Sequence, residues 1–210
     1  MKMEKMVLYT QRVEIAAGYQ ERRDCADQRI AAFLRACGLV PVPVNNLPEY
    51  AEEMAASLRP AGIVFTGGGD LAKYGGNTPE RDRTERILLE YALREGIPLL
   101  GFCRGMQFIA DQFGSGLAPV KNHVACRHAV AGELPHQQVN SFHNWGVTAV
   151  PEEFCPLLRS EDGGIEAMRH RRRGVMGIMW HPERETPFAQ EDVRLFSDFF
   201  GESDCLNGSN

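Results

Sequence analysis

Short apolar runs alternate with segments of helical periodicity through the first half of the 210-residue chain. Runs of this kind suit strands buried on both faces, and the periodic segments predict amphipathic helices. The predicted strands are 6–10, 39–44, 62–66 and 97–100, and the predicted helices are 25–36, 49–58, 84–95 and 106–113. Alternation of strand and helix is typical of a parallel sheet with helices on both faces. Pro41 and Pro43 place the second strand near an edge of that sheet or make it irregular.

The pattern changes after Gly116, where shorter strands predict a small extra β region in the C-terminal half. These strands are 137–140, 146–150, 165–168 and 175–180. The basic cluster 169–173 is interpreted as a solvated hairpin tip, with binding of phosphate or an acidic partner as the alternative. A closing helix is predicted at 190–200, with its apolar residues facing inward, namely Val193, Phe196 and Phe200. We therefore expect one α/β domain over 1–203, with a mostly parallel central sheet, and a flexible tail at 204–210.

Composition and charge narrow the classes of function. A hydrophobic content of 43% and a charged content of 24% are ordinary for a folded domain, and the formal net charge of −5 disfavours a general nucleic-acid binder. No apolar run approaches the roughly 20 residues that a membrane span needs. The N-terminus leads directly into the first strand without a signal peptide, which favours the cytoplasm and free thiols. The six cysteines show no zinc-like spacing, so we do not expect a structural metal site.

Candidate chemistry begins at the turn between the fourth strand and the fourth helix. Residues 101–105 read Gly-Phe-Cys-Arg-Gly, which is the nucleophile-elbow pattern with cysteine in place of serine. The turn places Cys103 at a helix N-terminus, where unpaired N–H groups favour a thiolate and can donate to a developing oxyanion. A small buried hydrophobe is the alternative interpretation of Cys103.

Two loops at the carboxyl ends of strands are further candidates. The run Gly67-Gly68-Gly69-Asp70 lets backbone N–H groups approach a ligand closely. Phosphate binding, the second half of an oxyanion hole facing Cys103, and a plain turn are all open for it. The polar stretch 11–24 is long for a connection between strand and helix, and substrate contact and a solvated loop are equally open there.

His181 and Glu183 supply the remaining parts of a cysteine-histidine-acid triad. Pro182 favours an extended segment, on which residues two apart point to the same side. His181 would then take the thiol proton and protonate the leaving amine, while Glu183 orients the ring. A structural histidine is the alternative, and it is disfavoured by the presence of an elbow cysteine.

Four motifs together resemble the class I glutamine amidotransferase superfamily, in its γ-glutamyl hydrolase (peptidase C26-like) branch. They are Thr66-Gly67-Gly68-Gly69-Asp70, Gly101-Phe102-Cys103-Arg104-Gly105-Met106-Gln107, Val139-Asn140-Ser141-Phe142-His143 and His181-Pro182-Glu183. The resemblance implies a flavodoxin-like fold and the triad Cys103, His181 and Glu183. It also implies an oxyanion hole from the backbone N–H groups of Gly68 and Arg104. The substrate-binding residues expected on this basis are Gly69, Gln107, Asn140, Ser141, Phe142, His143, Asn144 and Trp145.

Two departures bear on the substrate. Asn144 and Trp145 stand where γ-glutamyl-GABA hydrolases commonly have histidine and glutamine. Segment 18–24 is similar instead to γ-glutamyl hydrolases of surface-polysaccharide pathways, which cleave a γ-glutamyl phosphoramidate carried on a cytidine nucleotide. Arg22 and Arg23 would suit such a phosphate-bearing leaving group. His143 is a rival base, and His181 is preferred because its carboxylate partner is close in sequence.

The expected function is therefore hydrolysis of a small γ-glutamyl amide through a glutamyl thioester. We expect no cofactor, since acyl transfer to a thiol needs none. The alternative is a glutaminase subunit that supplies ammonia to a separate synthetase. A third hypothesis is a non-catalytic protein on the same fold. The expected partner is a small-molecule substrate, with neither nucleic acid nor membrane. A homodimer and a synthetase partner stay open.

Overall fold

The computed structural model describes residues 5–201, and the predicted tail at 204–210 lies outside them. Through residue 112 its strands and helices alternate much as the sequence pattern predicts. The strands are β1 Lys5–Tyr9, β2 Arg12–Ala16, β3 Glu21–Cys25, β4 Leu39–Pro43, β5 Gly62–Phe65, β6 Leu99–Phe102, β7 Leu117–Pro119, β8 Val124–Gly132, β9 Gln138–Phe142, β10 Trp145–Val147, β11 Phe154–Ser160, β12 Ile165–His170 and β13 Val175–Ile178. The helices are α1 Gln28–Ala36, α2 Pro48–Leu58, α3 Pro79–Glu95, α4 Arg104–Gln112 and α5 Gln190–Gly201.

The main sheet has nine strands in the order β4-β1-β5-β6-β13-β12-β11-β8-β9. From β4 to β13 neighbouring strands run parallel, and from β13 to β9 they run antiparallel. The proline-bearing strand β4 lies at the edge, as its sequence predicts. The predicted fold class is thus confirmed, a parallel central sheet with an additional β region built from the C-terminal half.

Two apolar cores fill the two faces of the sheet. Residues of α2, α3 and α4 pack on one face, and residues of α1 and α5 pack on the other. Phe33 of α1 meets Phe196 of α5 edge to face at 4.8 Å between ring centroids, a favourable aromatic geometry. Phe196 and Phe200 are fully buried, as predicted, and Val193 is half-buried. Both faces of the parallel strands are therefore covered, which agrees with their continuous apolar runs.

The structure corrects several element predictions. Stretch 11–24, expected as a loop, forms the antiparallel hairpin β2–β3. Val13 and Ile15 alternate along β2, but the charged residues around them obscured this strand pattern. Helix α3 begins at Pro79 rather than at 84. Proline is favoured at the first position of a helix, and the polar residues that follow it form the first turn. Strands β7, β8 and β11 were not predicted. The strand β8, with the sequence VACRHAVAG, has no clean alternation of apolar and polar residues.

The basic tip between β12 and β13 is a tight exposed turn. The backbone N–H groups of Arg172 and Arg173 both donate to Nδ1 of His170 at 3.0 Å. The side chains of residues 171–173 are exposed, which favours the interpretation as a solvated turn. Within residues 5–201, none of the helices combines the length and the apolar content that a bilayer crossing demands.

The pairing of β6 with β13 positions the candidate chemistry. Gly101 lies opposite Gly177 and Phe102 opposite Ile178, so the two strands end side by side. The residues that follow them, Cys103 on one strand and 179–181 on the other, therefore leave the sheet at the same point. This is the carboxyl edge of the parallel strands, where ligands bind in open α/β sheets.

Candidate active site

Cys103 lies in the turn between β6 and α4 with an unusual backbone conformation. Its φ of 51° and ψ of −111° are rare for a residue with a side chain, and strain of this kind concentrates at functional sites. The surrounding packing holds it: the Cys103 N–H donates to the Ile178 carbonyl at 2.8 Å. A Cβ on Gly105 would lie 2.2 Å from the Phe65 carbonyl oxygen, so only glycine allows α4 to approach β5 this closely. The elbow predicted from the sequence is present.

His181 lies between Cys103 and Glu183. Its Nδ1 is 2.7 Å from Glu183 Oε1, and its ring also hydrogen-bonds Cys103. The sequence predicted an extended segment between them, but Pro182–Arg184 forms a 3-10 turn. The turn instead folds the Glu183 carboxylate back onto the imidazole. His181 and Glu183 are each 3% exposed.

The surroundings of His181 favour its charged form. Burial is the largest single effect and opposes the imidazolium, but the Cys103 sulfur and the Glu183 carboxylate together outweigh it. The net result raises the pKa of His181 to about 10. An imidazolium beside a cysteine sulfur is the resting arrangement expected of an activated thiol nucleophile.

Three neighbours fix the position of the His181 ring and backbone, and a fourth holds the backbone of Glu183. Phe102 and Phe142 contact the ring edge to face at 5.8 and 5.7 Å between centroids. Asn140 accepts a hydrogen bond from the His181 N–H and donates to its carbonyl, both at 2.9 Å. Arg29 donates to the Glu183 carbonyl at 2.7 Å. Sequence reasoning missed Arg29, which comes from a distant helix and carries no local motif.

A cavity of about 270 Å³ opens above Cys103. Most of the residues predicted for the site line it, namely Gly68, Gly69, Cys103, Gln107, Phe142, His143, Asn144 and His181. Asp70 and Arg184 line it as well and were not predicted. Gly67, rather than Gly68, lies against Cys103 and His181: a Cβ there would be 2.6 Å from His181 Cε1 and 3.4 Å from Cys103 Cβ.

Other predicted residues make structural contacts instead of lining this cavity. Ser141 donates from Oγ to the His123 carbonyl at 2.7 Å, and Asn140 holds His181 as described above. The Trp145 carbonyl accepts from Gln107 Nε2 at 2.8 Å. The Arg104 side chain turns away from the cavity and pairs with Asp82 and Glu85.

The hairpin arginines lie away from the cavity. Arg22 pairs with Glu80 and donates to the Asn77 carbonyl, and Arg23 pairs with Glu21. The structure therefore does not bring Arg22 and Arg23 to Cys103, and their predicted role in binding stays a prediction. Arg12 of the same hairpin does reach the site, where it lines a pocket together with Gly68, His181 and Glu183.

A buried charge network lies beneath the glycine loop. Arg81 donates to the carbonyl oxygens of Thr66 at 2.6 Å, Gly68 at 2.7 Å and Gly67 at 3.3 Å. It also pairs with Glu85 at 2.9 Å, and Glu85 in turn pairs with Arg104. Burial is the main effect that lowers the pKa of Arg81, to about 10. One network thus connects the glycine loop to Arg104, the residue that follows Cys103.

His143 belongs to a different cluster. Its Nε2 lies 4.0 Å from Glu166 Oε1, so His143 does have a carboxylate nearby, supplied by β12 rather than by a sequence neighbour. Burial is the main effect that lowers the pKa of His143, to about 4. The contacts among His181, Cys103 and Glu183 support the preference for His181 as the base.

This fold and this cysteine site define a class of protein. The glutamine amidotransferase class-I family matches residues 23–201, and the chain belongs to that family. The resemblance predicted from the sequence motifs is thereby confirmed.

Individual relatives agree with this assignment. The chain is 36% identical over 199 residues to a γ-glutamyl-CDP-amidate hydrolase of Campylobacter jejuni, covering 91% of this chain and 95% of the relative. It is 33% identical over 150 residues to a glutamine-hydrolysing GMP synthase subunit of Methanococcoides burtonii, covering 67% of this chain and 72% of that one. A solved glutamine amidotransferase of Thermotoga maritima shares the fold, with a TM-score of 0.65 and 17% identity, over 96% of this chain and 86% of that one.

Proposed function

We propose that this protein is a cysteine-dependent hydrolase that cleaves the γ-glutamyl amide bond of a small γ-glutamyl conjugate. The observation that carries the proposal is the placement of His181 between Cys103 and Glu183 at the base of a cavity. The similarity to a γ-glutamyl-CDP-amidate hydrolase over nearly the whole chain supports the same chemistry. A small acyl conjugate would enter from the carboxyl edge of the sheet.

The reaction follows from these three side chains. The Cys103 sulfur attacks the γ-carbonyl carbon, a carbon–sulfur bond forms, and the carbon–nitrogen bond breaks as His181 gives its proton to the leaving nitrogen. The neutral His181 then takes a proton from water, whose oxygen attacks the thioester. The carbon–sulfur bond breaks, glutamate leaves, and the thiol site is regenerated. Glu183 keeps the imidazole oriented in both halves of the cycle.

The geometry of the glycine loop supports an oxyanion hole. In a trans peptide the N–H points opposite to the carbonyl of the preceding residue. Because Arg81 binds the carbonyls of Gly67 and Gly68, the N–H groups of Gly68 and Gly69 point away from Arg81. The N–H of Arg104 lies in the first turn of α4, where helix N–H groups lack intrahelical acceptors. These donors are the ones we assign to the developing oxyanion.

The leaving group that we favour is a phosphoramidate on a cytidine nucleotide, as in the name of the Campylobacter jejuni relative. Two arginines support an anionic leaving group. Arg184 lines the cavity and lies 4.1 Å from the centroid of the Phe142 ring, and Arg12 lies beside Gly68. Guanidinium groups bind phosphate oxygens with charge-assisted hydrogen bonds.

Glutamate release by the purified protein alone tests the proposal. The substrates are glutamine, γ-glutamyl-GABA, a γ-glutamyl peptide and the γ-glutamyl phosphoramidate of a cytidine nucleotide. We expect release from the phosphoramidate, weak or no release from glutamine, and none with the folded Cys103→Ala variant. Turnover by Cys103→Ala would overturn the assignment of the nucleophile.

The alternative is a glutaminase subunit that depends on a synthetase, and the similarity to a glutamine-hydrolysing GMP synthase subunit is the observation that favours it. Hydrolysis of glutamine alone, or no hydrolysis of any of the four substrates, would support this alternative. Stimulation of glutamine hydrolysis by an added synthetase would then establish it.

A further inference from the structure

Three histidines and a glutamate cluster beneath the cavity, outside the proposed triad. His123 precedes β8, His143 connects β9 to β10, and Glu166 lies in β12. One ligand atom from each of these three residues lies within 4.8 Å of the other two. His123 and His143 are each 5% exposed, and Glu166 is 1% exposed. His128 adjoins them, with its Nε2 3.2 Å from Glu166 Oε1.

Four buried polar atoms of this cluster lack hydrogen-bond partners, namely His123 Nδ1, His128 Nε2, His143 Nε2 and Glu166 Oε2. His123 Nδ1 and His143 Nε2 each lie 4.0 Å from the other carboxylate oxygen, Glu166 Oε1. Buried polar atoms are almost always satisfied in folded proteins, so several unsatisfied atoms at one place require a physical reason. A ligand shared by His123, His143 and Glu166 would satisfy both of the inward histidine nitrogens and the carboxylate at once.

The outer nitrogen of each histidine is already engaged. Nδ1 of His143 is 3.0 Å from the Trp145 carbonyl oxygen, which can only accept, so Nδ1 carries the proton and Nε2 presents its lone pair inward. Nε2 of His123 is 2.9 Å from Asp162 Oδ2, which leaves Nδ1 to present its lone pair inward. A histidine that binds a metal commonly donates its other N–H to a carboxylate or a backbone carbonyl. Both histidines show this arrangement.

We propose that His123, His143 and Glu166 bind a divalent transition-metal ion, and zinc is the ion that fits best. Two imidazole nitrogens and a carboxylate oxygen are a ligand set typical of zinc, with further positions left for water. The carboxylates of Glu166 and Asp162 offset the charge of the ion, which a buried cation requires. Ligand atoms around tetrahedral zinc lie about 3.4 Å apart, so closing around the ion takes a movement of about 1 Å.

The site does not depend on the proposed hydrolase chemistry. Its ligands come from three separate segments of the β region, and the ion would tie those segments together. His143 also lines the catalytic cavity, so the ion would fix one wall of that cavity from behind. Sequence reasoning did not find the site because it considered cysteine spacing, and the three ligands have no short spacing.

Metal titration of the full chain tests the inference. The protein is stripped with a chelator, dialysed and titrated with Zn²⁺ by calorimetry and with Co²⁺ by visible absorption. We expect one equivalent per chain, a ligand-field spectrum without a thiolate charge-transfer band, and a higher Tm with Zn²⁺. Wild type and Cys103→Ala should bind equally, which separates the site from the catalytic thiol.

Three variants decide whether these residues hold the ion. Glu166→Gln keeps the shape of the side chain and removes its charge, and we expect the metal affinity to fall more than tenfold. Asp162→Asn, at a side chain that is 58% exposed, leaves the core intact, and we expect about a tenfold loss through His123. His170→Asn removes a histidine outside the cluster and should bind as wild type does. Absence of stoichiometric binding by the wild type would overturn the inference. Wild-type affinity in both Asp162→Asn and Glu166→Gln would overturn it as well.

Discussion

At the scale of single residues, the site depends on contacts that restrict a few side chains to one position. Cys103 is held at a positive φ by hydrogen bonding to β13 and by the close approach of Gly105 to β5. His181 is wedged between two phenylalanine rings and anchored through its backbone by Asn140. A histidine fixed in this way would need little reorganisation in the proposed role of proton acceptor and donor.

Glu183 is expected to contribute less to turnover than its two partners. Glu183→Gln keeps a hydrogen-bond acceptor for His181 Nδ1 but loses the charge, so we expect kcat to fall roughly 10²-fold to 10⁴-fold, less than with His181→Ala. Steady-state kinetics of both variants, with circular dichroism to confirm folding, provide the measurement. A Glu183→Gln enzyme as inactive as His181→Ala would contradict an orienting role.

The raised pKa of His181 predicts an alkaline limit to activity. The leaving nitrogen needs the imidazolium proton, so kcat/KM should stay level at neutral pH and fall as pH rises through about 10. Since the folded-state pKa exceeds the ordinary 6.5, the stabilisation from His181 is complete below pH 6.5 and is lost as pH rises through about 10.

Glu183→Gln tests the origin of this pH limit. It removes one of the two groups that favour the charged ring, and the alkaline limb of its kcat/KM profile should move to lower pH. The folded variant can be assayed over the same pH range as wild type. An unmoved limb would mean that another group sets it.

At the scale of elements, helix α3 does more than cover the sheet. It places Arg81 and Glu85 beneath the glycine loop, where three backbone carbonyls share one guanidinium. The helix was predicted, but its first turn was assigned to a loop, so this function of Arg81 was missed. The contacts span from 13 to 15 residues along the chain and follow from tertiary packing, which local periodicity does not encode.

Arg81→Lys should impair turnover more than substrate binding. Lysine keeps the charge but cannot reach three carbonyls with a planar fork, so the glycine loop loses its fixed orientation. We expect kcat to fall at least about tenfold with little change in KM, and stability to fall by about 2 kcal/mol. Arg86→Lys on the exposed side of the same helix is the matched control. Equal kinetics for the two variants would show that Arg81 does not position the loop.

The hairpin β2–β3 offers a test of how the leaving group is bound. Arg12 lines the pocket beside the triad, whereas Arg23 pairs with Glu21 on its own strand. We expect Arg12→Gln to raise KM for a phosphoramidate about tenfold and to leave KM for an uncharged leaving group unchanged. Arg23→Gln, the control, should match wild type on both substrates. If Arg23→Gln raised KM for the phosphoramidate and Arg12→Gln did not, the result would support the sequence-based prediction for Arg23.

At the scale of the whole molecule, one continuous sheet joins the parallel and antiparallel halves through β6 and β13. The sequence predicted the parallel half well because its strands are apolar runs separated by clear helices. It predicted the antiparallel half poorly because β8 and β11 carry mixed patterns and pair across long distances. The elbow, the glycine loop and His181 were recognised from local motifs, while Arg29, Arg81 and the histidine cluster depend on contacts between distant segments.

The continuous sheet predicts a single cooperative unfolding transition. Far-UV circular dichroism follows the helices, and tryptophan fluorescence follows the C-terminal β region through Trp145 in β10 and the end of β13 through Trp180, which is 1% exposed. We expect the urea midpoints from the two signals to coincide, as they do when a domain unfolds as one unit. Two separated transitions would contradict a single domain over residues 1–203.

The position of β13 has a consequence for how the protein is made. It is the last strand among residues 5–201, yet it pairs between β6 and β12, which are both synthesised earlier. Chains emerge from the ribosome N-terminus first, so the proposed nucleophile leaves the ribosome long before its base. The thiol therefore meets its proton acceptor only when the final strand inserts, and a partly synthesised chain carries an unactivated cysteine.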